Sequence, residues 1–558
     1  MPRGRKGPPQ ESIDSILLAI SRRNDIDSDT LSHYFDRLDE EWEDGARDKV
    51  LHLLRTTDKA AHAAAILILS ELATDLDLED LEDFVTDPTV TDLAKLTMVP
   101  LLKELGSDMA DDGIIEYLND PNAAMLQMQM HLLDLVGQSE LGVESILEDV
   151  ISMPQERRLG FISWLGSSQD PRAARLLIPL LETQTSAVVL ATIESLEQLG
   201  TVVAYNTIPA LNYLIGHTTN RQVKQRARAV LGRLMMQSAP GLDTSAASQA
   251  LLPLYEARVS YIDGTGSQMI MLAWERPDGL LKGVNILYKD DWGIKDCYGT
   301  DEMTIQYWND LVAEMAQQNF ESLDVPLAYC RAVIVEALTL NKQTRHKVPI
   351  AYAIWRPFIE GPEGLGHRKK LHSPVQAEVL PLDEYTLALA QRGGDLYLLP
   401  EFSSWLFNPL DDILEYINRY WSHPLLMQLN NGSRSTNGRP RKGTKKHKEA
   451  LRQHLNSIIK DVIRERIDDN WRKQYSERLL GQGLLFQLAD RTEDVELTTG
   501  VASVLHPDSG IPSEEQPFIH SLLQLSIEHG PIHLMASALD LTNFDPRALG
   551  IDLFPPEK

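Results

Sequence analysis

Cysteine is almost missing from this chain. Cys297 and Cys330 are the two in 558 residues, too few for a disulfide framework and without the spacing of a structural zinc site, which points to a reducing, cytoplasmic setting. Cations are also scarce. Against 81 Asp and Glu stand 53 Lys and Arg, a net charge of -28, which excludes a generic nucleic-acid coat or a binder of anionic membranes unless basic residues are concentrated locally. Long apolar runs are lacking too: the longest, Ala60 to Leu69, falls well short of the ~20 residues of a membrane span. Met1 to Gln10 is basic and Pro/Gly-rich and leads into an amphipathic stretch, not an apolar signal core, so no membrane targeting is expected. What remains is ordinary for folded protein, 43% hydrophobic and 24% charged, over a length that implies several domains.

The N-terminal half repeats. Helical patterns close on Leu69-Ser-Glu-Leu72, Leu102-Lys-Glu-Leu105-Gly106, Leu133-Asp-Leu-Val136-Gly137, Ile162-Ser-Trp-Leu165-Gly166, Leu196-Glu-Gln-Leu199-Gly200 and Leu231-Gly-Arg-Leu234. The steps between them are 33, 31, 29, 34 and 35 residues. Within a unit, one apolar-periodic segment such as Ile208 to Ile215 is broken by a short polar stretch and followed by a second, Val223 to Leu234, so each unit predicts two helices. Asp87-Pro88 and Asp120-Pro121 supply N-cap carboxylates ahead of a proline, and the closing glycines suit left-handed C-caps.

These residues resemble the HEAT repeat, in particular the short bacterial type found in bilin lyase-like proteins. The likeness is clearest in Leu180 to Gly200 and Leu214 to Leu234, and Met153-Pro154 departs from it where a second helix should open. The resemblance implies an armadillo-like superhelix whose second helices line a concave, partner-binding side. Independently of the name, a helix pair cannot bury its apolar stripe alone, whereas stacked pairs share one core.

Beyond residue 248 the period changes. Ala257 to Asp263, Gln268 to Glu275 and Val284 to Tyr288 read as a three-stranded antiparallel meander, and two helices follow, Met303 to Gln318 with Ile305, Trp308 and Val312 in line, and Pro326 to Leu340 with Tyr329, Val333 and Ala337 in line. A helical tail then holds a basic stretch rich in Gly, Ser and Asn that reads as a loop. The expected fold class is mainly α: a HEAT-like α-α superhelix followed by a small α+β domain and a helical C-terminal region. The boundaries are a basic tail and leading helix over 1–35, a solenoid over 36–241, the α+β domain over 249–359, and a helical region over 360–558 with its basic loop at 431–448.

Candidate chemistry is sparse. Asp263-Gly-Thr-Gly-Ser267 carries clustered glycines but lacks the lysine and following helix of a phosphate loop, so a hairpin turn is expected. His529 and His533 are four apart, but Gly530-Pro531 should break the helix that would put them on one face. Asp290, Asp291, Asp296, Asp301 and Glu302 around Cys297 read as solvated loop carboxylates, with a cation site or acid-base work as the other reading. Cys330 lies on an apolar helical face and reads as a core thiol. His346, His367 and His372 lie near basic residues, with no nucleophile elbow to serve. Trp355-Arg-Pro-Phe358 and Trp405-Leu-Phe407 read as core, with exposed anchors as the alternative. No catalytic residue, metal ligand or cofactor is assigned.

The charge distribution carries the functional reading. Residues 51–150 hold 21 acidic and 4 basic residues, a difference of -17, whereas Arg221 to Arg233 holds five cations and no acid. Arg221, Lys224 and Arg228 fall on one helical face, opposite Val223, Ala227 and Val230. The loop adds Arg434, Arg439, Arg441, Lys442, Lys445, Lys446 and Lys448. Three readings stay open: a non-enzymatic adaptor binding another protein through the repeat surface, a nucleic-acid-associated factor using the basic ridge 221–233 and loop 434–448, and an enzyme with its site in the 249–359 domain.

Overall fold

The computed structural model describes residues 12–22, 28–56, 58–110, 113–138, 140–182, 185–237, 252–317, 321–361, 375–426 and 445–538. It is mainly helical with one small antiparallel sheet, and it divides into two compact units, Met1–Gly137 and Gln138–Lys558, so the division falls inside the span 36–241.

The first unit contains α1 (Ile13–Arg22), α2 (Ser28–Glu40), α3 (Arg47–Leu54), α4 (Lys59–Leu72), α5 (Leu78–Thr86), α6 (Asp92–Thr97), α7 (Val99–Glu104) and nearly all of α8 (Pro121–Gln138). Ile13, Ile16, Leu17 and Ile20 recur at helical spacing and place the buried stripe of α1 in a core with Val50, Leu54, Ala65, Ile68 and Leu69 of α3 and α4. A buried carboxylate pins the turn before α5: Asp77 accepts from Trp42 Nε1 at 3.1 Å, Arg47 Nη1 at 2.6 Å and Thr74 N at 2.8 Å. Burial alone would raise its pKa, but these donors hold it below the usual carboxylate range.

The second unit opens with three helix pairs: α9 (Glu140–Ser152) with α10 (Gln155–Ser167), α11 (Ala173–Leu180) with α12 (Ser186–Leu199), and α13 (Ala204–His217) with α14 (Arg221–Gln237). Met153-Pro154 turns the chain between α9 and α10, and Arg158 caps the end of α9 through Val150 O at 3.0 Å and Met153 O at 2.8 Å. The second helices form one row, α10 against α12 against α14. Gly166 permits the closest approach, because a Cβ there would lie 2.7 Å from Ser195, whose hydroxyl donates to Ile162 O at 2.8 Å. Residues Ser186–Val203 reach a mean hydropathy of 1.2, the level of a membrane span, but Val188, Val189, Ile193 and Leu196 of α12 are buried within this stack.

The first-helix row is covered by the sheet domain. Strands β1 (Leu254–Ser260), β2 (Ser267–Glu275), β3 (Leu281–Lys289), β4 (Gly293–Met303) and β5 (Ser322–Asp324) form an antiparallel sheet in the order β4-β3-β2-β1-β5. The meander therefore has four strands, with β5 added at the β1 edge. Helix α15 (Ile305–Gln317) packs Trp308 on Met271, Ala273 and Met303. Helices α16 (Leu327–Thr344) and α17 (Ile350–Glu360) cover the opposite face, where Trp274 meets Phe358, which explains why β2 is apolar on both sides. α17 in turn packs on α9 and α11, and β4 packs on α9.

A polar seam joins the helix pairs to the sheet. Lys282 of β3 bonds Glu140 of α9 and lies 3.0 Å from Asp301, whose other oxygen accepts Leu141 N at 2.9 Å. Trp355 Nε1 donates to Glu144 at 2.9 Å and Arg356 clamps Glu182 in a bidentate pair. Burial pushes the Glu144 carboxyl above its usual range despite the indole donor.

The C-terminal region comprises α18 (Glu384–Gln391), α19 (Leu414–Trp421), α20 (Lys445–Arg466), α21 (Asp469–Leu488), α22 (Thr492–Leu505) and α23 (Pro517–Ala538) around a tightly packed α21–α22 hairpin. Gly483 admits Thr499 and Gly500 admits Leu389, so small residues let these helices approach. Gly530-Pro531 does not break α23, contrary to expectation. Pro531 leaves the Ile527 carbonyl without its helical N–H, and Trp421 Nε1 donates to that oxygen at 3.0 Å instead. The basic loop also ends sooner than expected, since the Leu451, Leu455, Ile458 and Ile459 stripe of α20 carries helix back to Lys445.

Candidate interaction surface

Helix α14 is built by its cap and its apolar stripe. Asn220 accepts from Gln222 N at 2.9 Å and Val223 N at 3.2 Å, and Val223, Ala227, Val230 and Leu234 bury one face against α12 and α13. At roughly 100° per residue, Arg221, Lys224 and Arg228 lie within about 60° of arc on the opposite side, together with Gln225. Arg221 and Arg228 are exposed, Lys224 is half-buried, and among the described residues none of the three meets an acidic partner. The other two cations of the helix behave differently. Arg226 pairs with Glu197 at 2.9 Å and Glu194 at 3.6 Å of α12, and Arg233 pairs with Glu197, because both point to the flank that faces the neighbouring helix.

Two features of the free stripe have no account in folding. Arg221 and Lys224 occupy the first turn of α14, where the helix dipole is positive and each cation costs about 0.3–1 kcal/mol. At the other end Met235 and Met236 are 60% and 79% exposed. The stripe is therefore cationic for two turns and apolar at its end, over roughly 20 Å of helix.

The remaining candidates are dispersed. Lys446 and Lys448 stand exposed at the start of α20, and Lys445 opens that helix; Arg434, Arg439, Arg441 and Lys442 lie outside the described residues, as do His367 and His372. The acidic group near Cys297 is not a set of loop carboxylates. Asp296, Asp301 and Glu302 lie on β4, which the expected meander lacked; Asp301 faces Lys282, Glu302 lies 3.6 Å from Arg276, and Asp290 is held by Arg478 at 2.8 Å. Asp291 pairs with Lys289 at 3.3 Å. Among the described residues no group of three or more His, Cys, Asp or Glu is arranged to hold a metal ion.

Asp263–Ser267 is a hairpin turn whose N–H groups are already taken: Thr265 N and Ser267 N both donate to Asp263 Oδ1 at 2.8 Å, Gly266 N to Asp263 O at 3.0 Å and Gly264 N to Ser404 Oγ at 3.3 Å. Nothing is left for a phosphate. Cys297 and Cys330 are buried free thiols, burial pushing Cys330 up to about 12 and Cys297 also well above its ordinary value. Trp355, Phe407 and Trp405 are core residues. A cleft of about 240 Å³ lined by Leu387, Val501, Val504 and Phe518 is smaller than the ~300 Å³ at which ligand pockets begin.

The seam residues Glu140, Glu144 and Lys282 were not singled out by sequence reasoning. Glu140 and Glu144 stand four apart on the buried side of α9, and that spacing was the available signal. Comparison of the chain with protein-family models, with curated proteins and with solved structures finds no match.

Proposed function

We propose that this chain is a non-enzymatic, cytosolic interaction scaffold with HEAT-like repeats, and that it holds an acidic, partly apolar segment of another protein along α14. The observation that carries this reading is the composite stripe: three cations without acidic partners among the described residues, continued by two exposed methionines, on the helix row opposite the one packed on α17 and β4. Arginine presents a bidentate fork to carboxylates, and methionine adapts to irregular apolar partners. A nucleic-acid backbone would use the cations but not the methionines.

The two buried thiols are compatible with a reducing compartment. The repeat resemblance of Leu180 to Leu234 and the two-row packing of α9 to α14 support the HEAT-like reading of the architecture.

The test is fluorescence anisotropy with a labelled peptide of four Glu followed by Leu and Phe, measured on the full chain and on R221E/K224E/R228E. The reading expects binding that the triple variant loses by at least tenfold and that M235S/M236S weakens by about threefold. Equal peptide affinity in the triple variant, with loss of duplex DNA binding instead, would replace the adaptor reading by the nucleic-acid one.

A further inference from the structure

The β3–β4 hairpin closes over residues Asp290 to Gly293 against the C-terminal end of α16, and it is clipped there. Asn341, buried, accepts Ile294 N at 2.8 Å through Oδ1 and donates through Nδ2 to Ile294 O at 3.1 Å and Trp292 O at 3.2 Å. Thr344 Oγ1 donates to the same Trp292 carbonyl at 3.2 Å. Gly293, at φ +99°, allows the approach, since a Cβ would lie 2.5 Å from Ala337 O and from the Asn341 amide. The backbone thus anchors the tip, and the Trp292 side chain is carried outward, 36% exposed.

That indole is held flat from one side. His346 lies parallel to it, ring centroids 3.5 Å apart and planes 2° apart, and the buried His346 Nδ1 has no hydrogen-bond partner. His346 is flanked in sequence by cations. Lys342, Arg345 and Lys347 are exposed and form no ion pair among the described residues, and the hairpin's own carboxylate Asp291 is engaged with Lys289. Arg345 also ends α16 in the left-handed region at φ 62°, a position that glycine or asparagine normally takes. An arginine in a left-handed conformation therefore directly precedes the histidine on which the exposed indole stacks.

We propose that Trp292, Lys342, Arg345 and Lys347 form a binding site for single-stranded nucleic acid, with an unpaired base stacking on the open face of Trp292 and neighbouring phosphates on the three cations. Every base offers a π-face, and a flat aromatic beside cations takes it without reading sequence. A duplex keeps its bases stacked inward and cannot offer one. An acidic peptide would use the cations but gains nothing from a planar ring held parallel to a second ring. From Lys342 to Lys347 the chain spans roughly 10 Å, more than one phosphate step, which suits an oligomer better than a mononucleotide. The site lies on other elements than the α14 stripe and does not rest on that reading.

The experiment is anisotropy of labelled oligo-dT and oligo-U with the full chain at about 50 and about 200 mM salt. Binding of either strand supports the site. W292A should weaken it about tenfold or more while W292F, which keeps a stacking ring, stays within about threefold. R345A/K347A should lower affinity and flatten the salt dependence by between one and two in log–log slope. Circular dichroism of W292A against W292F separates loss of the site from loss of the fold. No binding at the lower salt, unchanged affinity in both W292A and R345A/K347A, or equal competition by duplex DNA, by poly-glutamate or by thymidine monophosphate would overturn the proposal.

Discussion

Lys282→Met is the sharpest probe of how the repeats are fastened to the sheet. Lys282 is 12% exposed at its side chain, touches Glu140, lies 3.0 Å from Asp301 and sits 4.8 Å from the centre of the Phe358 ring. Methionine keeps the apolar stem and removes only the charge, leaving Asp301, 4% exposed, without its cation, while Glu140 keeps Arg175 at 2.9 Å. Removing one member of a buried ion pair costs about 3–5 kcal/mol, and the Phe358 contact adds about 1 kcal/mol. The variant K282M/D301N, which removes the stranded carboxylate and leaves the Glu140–Arg175 pair intact, should recover most of that. Urea unfolding followed by tryptophan fluorescence reads this directly, since Trp42 is the one tryptophan of nine in the first unit. The deficit also depends on pH. Burial raises the Asp301 pKa, but Leu141 N–H, Glu140 and Lys282 together hold it below the ordinary 3.8. Its contribution is therefore complete above about pH 4 and is lost as pH falls through the lower folded value. A K282M midpoint matching the parent at pH 7, within about 1 kcal/mol, would mean that water reaches the seam and that it fastens nothing.

Trp421→Phe should destabilise the C-terminal region by about 1–3 kcal/mol, because it strands the Ile527 carbonyl, and P531A should restore much of this by supplying the missing N–H; equal Tm for W421F and parent would refute it. Cys297 and Cys330 should stay unreactive toward a disulfide reagent in the native protein and both react in guanidinium, whereas fast labelling of the native chain would contradict their burial. Asp87, bonded to Thr89 N and Oγ1 and to Arg55, should titrate at about 2 by NMR, its stabilising effect present above the ordinary value of 3.8 and lost as pH falls through about 2; a titration at or above 3.8 would show the pair is absent in solution.

Periodicity reads well wherever one face of an element is apolar. Trp308 and Val312 announce α15, although Ile305, expected in line with them, is exposed, and the ridge of Arg221, Lys224 and Arg228 follows from Val223, Ala227 and Val230 beneath it. It fails where burial is answered from a distance. Strand β4 carries Asp296, Asp301 and Glu302 and reads as a loop, because the partners that let Asp301 go inside, Lys282 and Leu141 N, lie 19 and 160 residues away. The helix through Pro531 was illegible for the same reason, its missing donor being replaced by an indole 106 residues distant. Composition likewise shows five cations in α14 but not which are spoken for, since Arg226 and Arg233 are distinguished from the other three by carboxylates on α12.

The claim that α14 is a docking surface for a protein is tested most directly by a photo-crosslinking amino acid at Gln225, an exposed position between Arg221 and Arg228, in the full chain within its native cells. Mass spectrometry then identifies what lies against it, with the same group at exposed Thr201, before α13, as the reference. The account predicts a crosslink from position 225, absent from 201 and from R221E/K224E/R228E, to a peptide rich in Asp and Glu with an apolar residue near its end. Crosslinks to nucleic acid alone, or identical products from 225 and 201, would contradict it.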